Sequence, residues 1–221
     1  YSISHKDDII KYASNFDWLN VIRDRYIPCV EKIIERKKRM NKIQQKIKDK
    51  FIEVTKDGLT DKADYHAYEE VYPYLLDKFI GKKINILEVG TATGGGLRIL
   101  SELFPDSKIY GIDWDHSRLK IDLKDYPNVE IFCYDQCNPA FLQHLPKLDF
   151  VTEDCSHQMS NSLKTFEIIQ PILNPGAVYV IEDVYPEFLD AYEEDGRFDM
   201  YDAREIKNRA DDVLAVYNHP E

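Results

Sequence analysis

The chain has 221 residues, with 29 Lys and Arg against 40 Asp and Glu and a formal net charge of −11. With 43% apolar and 12% aromatic residues, it can fill a sizeable core, which excludes wholesale disorder and fibrous repeats and suits one α/β domain with a modest appendage. Residues 1–50 hold 13 basic and 7 acidic side chains, net +6, while the remainder carries −17; the main domain therefore repels polyphosphate, and a nucleic-acid substrate is disfavoured.

No apolar run approaches the roughly 20 residues of a membrane span, and no signal-peptide pattern opens the chain. A soluble, cytoplasmic protein without membrane insertion is expected. The four cysteines, Cys29, Cys133, Cys137 and Cys155, form no Cys-x-x-Cys pair, which fits reduced thiols in a cytosolic compartment. From residue 17 to about residue 50, Ile33, Ile34, Met40, Ile43 and Ile47 recur among charges in a helical pattern. The run Arg36, Lys37, Lys38, Arg39 reads either as a nucleic-acid or membrane patch or as the solvated face of a linker helix. The second reading is favoured because blocks of like charge are usually solvated. The expected division is a basic helical extension over 1–55 and one domain over 56–221. A start at Tyr1 instead of Met fits a piece of a longer polypeptide.

From residue 84 onward, short apolar strands alternate with amphipathic helices. Strands are predicted over 84–89, 108–113, 129–134, 148–152 and 177–181, and helices over 97–103, around 139–145 and over 160–173. A further strand over 211–217 is expected at the sheet edge. Nearly continuous apolar strands separated by helices imply a parallel sheet covered on both faces. The expected architecture is α/β: a doubly wound, mostly parallel, Rossmann-like sheet with an N-terminal helical extension, binding ligands outside the carboxyl ends of its strands.

The first strand runs into EVGTATGGG over 88–96. Glycine there allows a sharp turn that brings backbone amides close to a ligand, with the positive end of the next helix aimed at it. The spacing Glu-x-Gly-x-x-x-Gly is not that of the dinucleotide fingerprint, which disfavours a nicotinamide dehydrogenase, and no Gly-Lys-Ser/Thr follows as in a phosphate loop. The second strand ends on Asp113, about 20 residues further on, where a carboxylate can accept both ribose hydroxyls of a nucleoside. Together these features indicate a nucleoside whose tail is not a phosphate. The segments ILEVGTATGGG and YGIDWD resemble the first and second motifs of class I S-adenosylmethionine-dependent methyltransferases. That resemblance implies that Glu88, Gly90, Thr91 and Gly94 shape the pocket for the methionine end and that Asp113 holds the ribose. Tyr134, Asp135 and Gln136 fall where that fold contacts adenine, although Asp135 reads equally well as a cap ahead of Asn138 and Pro139.

The fourth strand runs into Glu153, Asp154, Cys155, Ser156 and His157, and the fifth into Glu182 and Asp183. In a parallel sheet both ends share an edge with the glycine turn. Asp154, Glu182 and Asp183 offer three oxygen ligands to a hard divalent ion such as Mg²⁺, and His157 stands beside them as a candidate general base. Singly, each reads as a helix cap or a surface group. Jointly, carboxylates at a ligand edge repel one another unless a cation intervenes.

The stretch DFVTEDCSHQMSNSLKTFEIIQPILNPGAVYVIEDVY looks like the metal-dependent sugar O-methyltransferases of the mycinamicin and macrolide-deoxysugar type. The resemblance implies metal ligation by Asp154, Glu182 and Asp183, with His157 as catalytic base. Upstream, LTDKADYHAYEEVYPYLL is similar to a segment of the same family and places Thr60, Asp61, Lys62, His66, Tyr68 and Tyr72 at the active-site mouth. Thr60 and Lys62 are expected toward the cofactor, and His66, Tyr68 and Tyr185 toward the acceptor. Where that family usually has Gly between Asp and Ser, this chain has Cys155. The resemblance implies transfer of a methyl group from S-adenosylmethionine to a sugar hydroxyl, with Mg²⁺ or Mn²⁺ as second cofactor. The acidic, aromatic stretch over 185–201 reads either as one wall of the acceptor site or as a surface helix.

Two rivals stay open: a catechol-type O-methyltransferase, against which Ser156-His157 speaks because that chemistry commonly uses a Lys base, and a cofactor-binding interaction module without catalysis. The basic linker fits a multidomain glycan-building protein, a layout resembling one found in large algal viruses (chloroviruses). A glycan with terminal rhamnose is then the expected acceptor, in the host cytoplasm, with upstream domains in the same polypeptide and a possible homo-oligomer.

Overall fold

A computed structural model describes residues 40–207 and 213–220. The basic run over 36–39 lies outside the described residues. The first described helix, α1 (Lys42–Lys56), buries Ile47, Phe51 and Val54. These side chains belong to the core cluster that also contains Ile86, Leu97 and Phe150. Ion pairs from Lys50 to Glu102 at 2.6 Å and from Arg98 to Asp57 at 2.8 Å fasten its outer face. The compact unit accordingly begins at Ile43, earlier than the expected boundary at residue 56. The helical spacing is the same for a linker and a packed helix, and only the core shows which it is.

After a 3₁₀ turn at Tyr68–Glu70 and the short α2 (Tyr72–Leu76), strands and helices alternate. They are β1 (Asn85–Val89), α3 (Gly95–Leu103), β2 (Lys108–Asp113), β3 (Val129–Cys133), β4 (Leu148–Glu153), α4 (Met159–Ile169) and β5 (Leu173–Ile181). Then come α5 (Leu189–Asp195), β6 (Asp199–Asp202), α6 (Arg204–Lys207) and β7 (Val213–Asn218). The described strands form one sheet in the order β3-β2-β1-β4-β5-β7-β6. The first five are parallel; β7 runs antiparallel to β5, and β6 antiparallel to β7. This is the expected doubly wound, mostly parallel, Rossmann-like architecture.

Alternate residues of each strand face opposite cores, as the two-residue period requires. Ile86, Phe150, Val180 and Leu214 join the face covered by α1 and α3, while Leu87, Val151, Tyr179 and Ala215 join the face that includes Phe141 and Phe166. Three expectations change. The strand near 211–217 is not the edge: β6 pairs to its outer side, so the end of the acidic stretch over 185–201 is sheet. The segment near 139–145 is a 3₁₀ turn, Pro139–His144, opened by Asn138, whose side chain accepts from Ala140 N–H at 3.0 Å. The helix expected over 160–173 stops at Ile169, because Pro171 cannot continue the backbone ladder. Among the described residues, no helix is long and apolar enough to cross a membrane.

The register positions the site. Val89 pairs with Ile112 on one side and Glu153 on the other, and Glu153 pairs with Ile181. The residues that follow, Gly90, Asp113, Asp154 and Glu182, therefore stand side by side along one edge, and the order reverses between β1 and β4, where such sheets open a crevice.

Candidate active site

At the β1–β2 end the backbone does most of the building. Gly90 has φ of +90°, and a Cβ there would lie 2.0 Å from the Asp154 carbonyl oxygen, so only glycine lets β1 turn against β4. Gly94, at φ +88°, caps the start of α3 and is closed in by Leu119 and Ile121; it shapes the turn instead of lining the cavity. The turn aims two amides at Asp113: Thr91 N–H donates to its Oδ2 at 2.9 Å and Ala92 N–H at 3.0 Å, while Asp115 N–H donates to Oδ1 at 3.1 Å. The carboxylate is thus held at the end of β2.

A cavity of about 450 Å³ opens over this edge, within the range of small-molecule sites. Thr60, Lys62, Glu88, Gly90 and Thr91 line it, as do His66, Arg118, Asp154, His157, Glu182 and Asp183. Glu88 is buried, and its Oε2 has no hydrogen-bond partner. Burial pushes its carboxyl well above the ordinary range, and the neighbouring Lys62 only partly offsets this.

At the β4–β5 end, Asp154, His157 and Asp183 bring one ligand atom each within 4.8 Å of one another. His157 Nε2 lies 3.8 Å from Asp154 Oδ1, and Nδ1 lies 3.8 Å from Asp183 Oδ2. Both spacings are too long for hydrogen bonds, and the buried Nδ1 has no partner. His157 and Asp183 have φ of +52° and +56°, backbone conformations that cost about 1–2 kcal/mol for residues other than glycine. Two residues that face each other across the acids thus carry left-handed backbone.

Side chains from the 62–72 segment support the acids from beneath. The Tyr68 hydroxyl donates to Asp183 Oδ1 and accepts from Asp183 N–H at 3.0 Å, which fixes the left-handed backbone there. The Tyr72 hydroxyl donates to Glu182 Oε1, which also accepts from Thr152 Oγ1 at 2.8 Å. The Lys62 ammonium donates to Asp154 Oδ2 at 2.6 Å and to Glu182 Oε2. Burial acts to lower the Lys62 pKa, but Asp154 and Glu182 outweigh it and leave it well above the usual value. Burial likewise acts to raise Asp154, yet the Lys62 charge and hydrogen bond hold that carboxyl below its ordinary value. Glu182, deeper and facing Asp154 and Asp183 as well, is pushed up to about 7 by burial. Asp183 is raised by burial and by the Asp154 charge. Burial pushes the Cys155 thiol up to about 12, so it stays protonated beside the acids.

The placement of the remaining candidates is mixed. His66 lines the cavity with Nδ1 3.6 Å from Asp183 Oδ1 and its ring stacked on Tyr68. Tyr185 stands edge-on to His157 at 6.3 Å. Tyr68 has no exposed surface; it is a support for Asp183 and not an acceptor contact. Gln136 is buried, with Nε2 on Glu153 and Thr165 at 3.0 Å, so its amide serves the core and not a cofactor. Asp135 Oδ1 accepts from Cys137 N–H at 2.7 Å, the turn-capping role that the sequence allowed, and the residue does not line the cavity. Sequence reasoning missed Thr152 and Lys207. Lys207 donates to the carbonyls of Ala63 (2.7 Å) and His66 and pairs with Glu69 at 3.0 Å, clamping the segment that carries Lys62 and Tyr68.

The carboxylate oxygens of Asp154 and Asp183 that gather here fit a hard divalent cation, which prefers oxygen ligands. The glycine turn, the anchored Asp113 and the unpartnered Glu88 oxygen fit a nucleoside joined to an amino acid. A doubly wound sheet carrying such a cavity at its switch point has the fold of the class I methyltransferases. A model of the FtsJ-like methyltransferase family matches residues 69–189, and the chain belongs to that family.

Among curated relatives, 8-demethyl-8-alpha-L-rhamnosyl tetracenomycin-C 2'-O-methyltransferase of Streptomyces olivaceus is 32% identical across 62% of this chain and 39% of its own length. Mycinamicin VI 2''-O-methyltransferase of Micromonospora griseorubida is 27% identical across 56% of this chain and 33% of its own. Among solved structures, the MycE methyltransferase of the mycinamycin biosynthetic pathway, in complex with Mg, SAH and mycinamycin VI, matches with a TM-score of 0.61 at 20% identity. That match covers 77% of this chain and 54% of MycE, and it establishes the fold alone. The chain spans well under half the length of both curated relatives.

Proposed function

We infer that this domain transfers a methyl group from S-adenosylmethionine to a hydroxyl of a sugar, with a divalent metal ion as second cofactor. A deoxysugar such as the terminal rhamnose of a glycan, assembled by other domains of a longer polypeptide, is the acceptor that the reading favours. The observation that carries it is the meeting of Asp154, His157 and Asp183 within 4.8 Å on the wall of a cavity that the Gly90 turn also lines. The names of both relatives described above, O-methyltransferases of a rhamnosyl tetracenomycin and of a mycinamicin, support the sugar acceptor.

Asp113 holds the ribose, and Glu88 with the Gly90–Thr91 turn receives the methionine end. Asp154 and Asp183, with Glu182 beside them, would hold Mg²⁺ or Mn²⁺, which supplies Lewis-acid polarisation of acceptor hydroxyls. His157 takes the acceptor proton at Nε2, because Nδ1 is enclosed, and the strained loop fixes the ring toward the acids. His66 and Tyr185 border the acceptor side. Lys62 is held protonated between two carboxylates and is unsuited to the base role that a catechol-type enzyme gives to Lys.

Mass spectrometry of rhamnosides incubated with S-adenosylmethionine tests this reading. A gain of one CH₂ is expected, abolished by chelator and restored by Mg²⁺. A gain that survives the chelator overturns the metal step. His157→Ala is expected to slow transfer by about 10²–10⁴ while S-adenosylhomocysteine still binds in calorimetry; undiminished turnover removes His157 from the mechanism.

A further inference from the structure

The three acids of the site present fewer open oxygens than their number implies. Both oxygens of Glu182 are taken: Oε1 by the Tyr72 and Thr152 hydroxyls, Oε2 by Lys62. Asp154 gives Oδ2 to Lys62, and Asp183 gives Oδ1 to Tyr68. That leaves Asp154 Oδ1 and Asp183 Oδ2 facing His157. A hard divalent ion takes roughly six ligands, so water and acceptor oxygens would have to supply most of them unless Glu182 turns in. An ion bound by Glu182 Oε2 would share that oxygen with the Lys62 ammonium.

We propose that Lys62 is a built-in counter-ion of the acidic site, a positioning residue that competes with the divalent cation for Asp154 and Glu182 and thereby sets metal affinity. The inference rests on the metal-binding reading above. Lys62 is 5% exposed, so little water screens the ammonium from its two partners, and charge interactions in such surroundings are far stronger than at a surface. In the metal-free protein the ammonium keeps two acids together that would otherwise repel. When the divalent ion enters, the same ammonium repels it and holds back one ligand. The two cations share one set of carboxylates, so removing the weaker competitor strengthens binding of the other.

Lys62→Met keeps the length of the side chain and removes its charge. In isothermal titration with MgCl₂, the Met variant is expected to bind more than tenfold tighter than the wild type, and Lys62→Arg to stay within about threefold of wild type, because its charge persists. In thermal melts, Lys62→Met is expected to be less stable than wild type in chelator and to gain more from Mg²⁺. A purely structural role for Lys62 would lower metal affinity on substitution, so equal or weaker binding by the folded Met variant overturns the inference. In the wild-type protein, labelling of Lys62 by trinitrobenzenesulfonate, read by peptide mass spectrometry, is expected to rise when Mg²⁺ binds. Unchanged labelling in protein that binds Mg²⁺ overturns the inference without any variant having to fold. Absence of Mg²⁺ and Mn²⁺ binding in both wild type and Lys62→Met overturns the metal-site reading itself, and this inference with it.

Discussion

At the β1–β2 end of the sheet edge, behind the Thr91 turn that lines the cavity, the carboxylate of Asp113 rests on backbone amides from its own neighbourhood. At the β4–β5 end, Asp154, Glu182 and Asp183 lean on side chains about 90 to 120 residues away: Lys62, Tyr68 and Tyr72. The first arrangement is rigid because main-chain geometry determines it. The second keeps its charges close through a buried lysine and the hydroxyls of Tyr68, Tyr72 and Thr152, and it carries strained backbone at His157 and Asp183. Under the proposed reading, the nucleoside would meet a fixed cradle and the ion a site that accommodates two charge states.

Substitutions at each end can separate the two constructions. The largest effect is expected at Gly90, where alanine would place a methyl 2.0 Å from the Asp154 carbonyl oxygen on a backbone at φ +90°. Gly90→Ala is expected to lose about 3 kcal/mol or more of stability, measured by urea unfolding, and to abolish S-adenosylhomocysteine binding in calorimetry. Retained binding would show that the cradle yields. Tyr68→Phe deprives Asp183 of a donor and leaves its N–H without an acceptor, at a cost of about 1–3 kcal/mol. Loss of such a supporting contact is also expected to weaken Mg²⁺ binding by about tenfold or more with nucleoside affinity unchanged. Equal losses of both ligands would mean that the two ends are a single unit.

The smallest effect concerns Glu153, which burial pushes up to about 7 although Ser162 and Gln136 hydrogen-bond to it. A carboxyl raised on folding contributes stability below its unfolded pKa, near 4.5, and loses that contribution as pH rises through about 7. Glu153→Gln does not titrate. Its stability relative to wild type is expected to rise between about pH 5 and pH 8 by roughly 1–2 kcal/mol, measured by urea unfolding at each pH. A flat difference would place the titration elsewhere in the site.

The resemblance to known families pointed at both ends of the crevice, but it read them unequally. Glu88, Gly90 and Asp113 fall in short motifs whose spacing is itself the structural cause, and the register of β1 against β2 then aligns them. The acids at the ends of β4 and β5 were equally visible as strand-end residues. What lay beneath them was not. Tyr68 and Tyr72 stood in a segment assigned to the mouth of the site, yet both are buried under the carboxylates. Gln136 sat at an adenine-contact position, and its amide turned inward because buried Glu153 and Thr165 offered it partners. Lys207 has no sequence signal for its role, since the carbonyl of His66 that it binds lies 141 residues away.

The amino-acid order alone determined the alternation of strands and helices, the glycine turn and the position of each acid at a strand end, because these follow from local periodicity and from conformations that few residues tolerate. Which oxygens of those acids face the cavity and which are taken by Lys62, Tyr68 and Tyr72 was decided only by the tertiary structure. Such pairings depend on which distant segments burial brings into contact, and hydrogen-bond partners are chosen by distance in space, not along the chain.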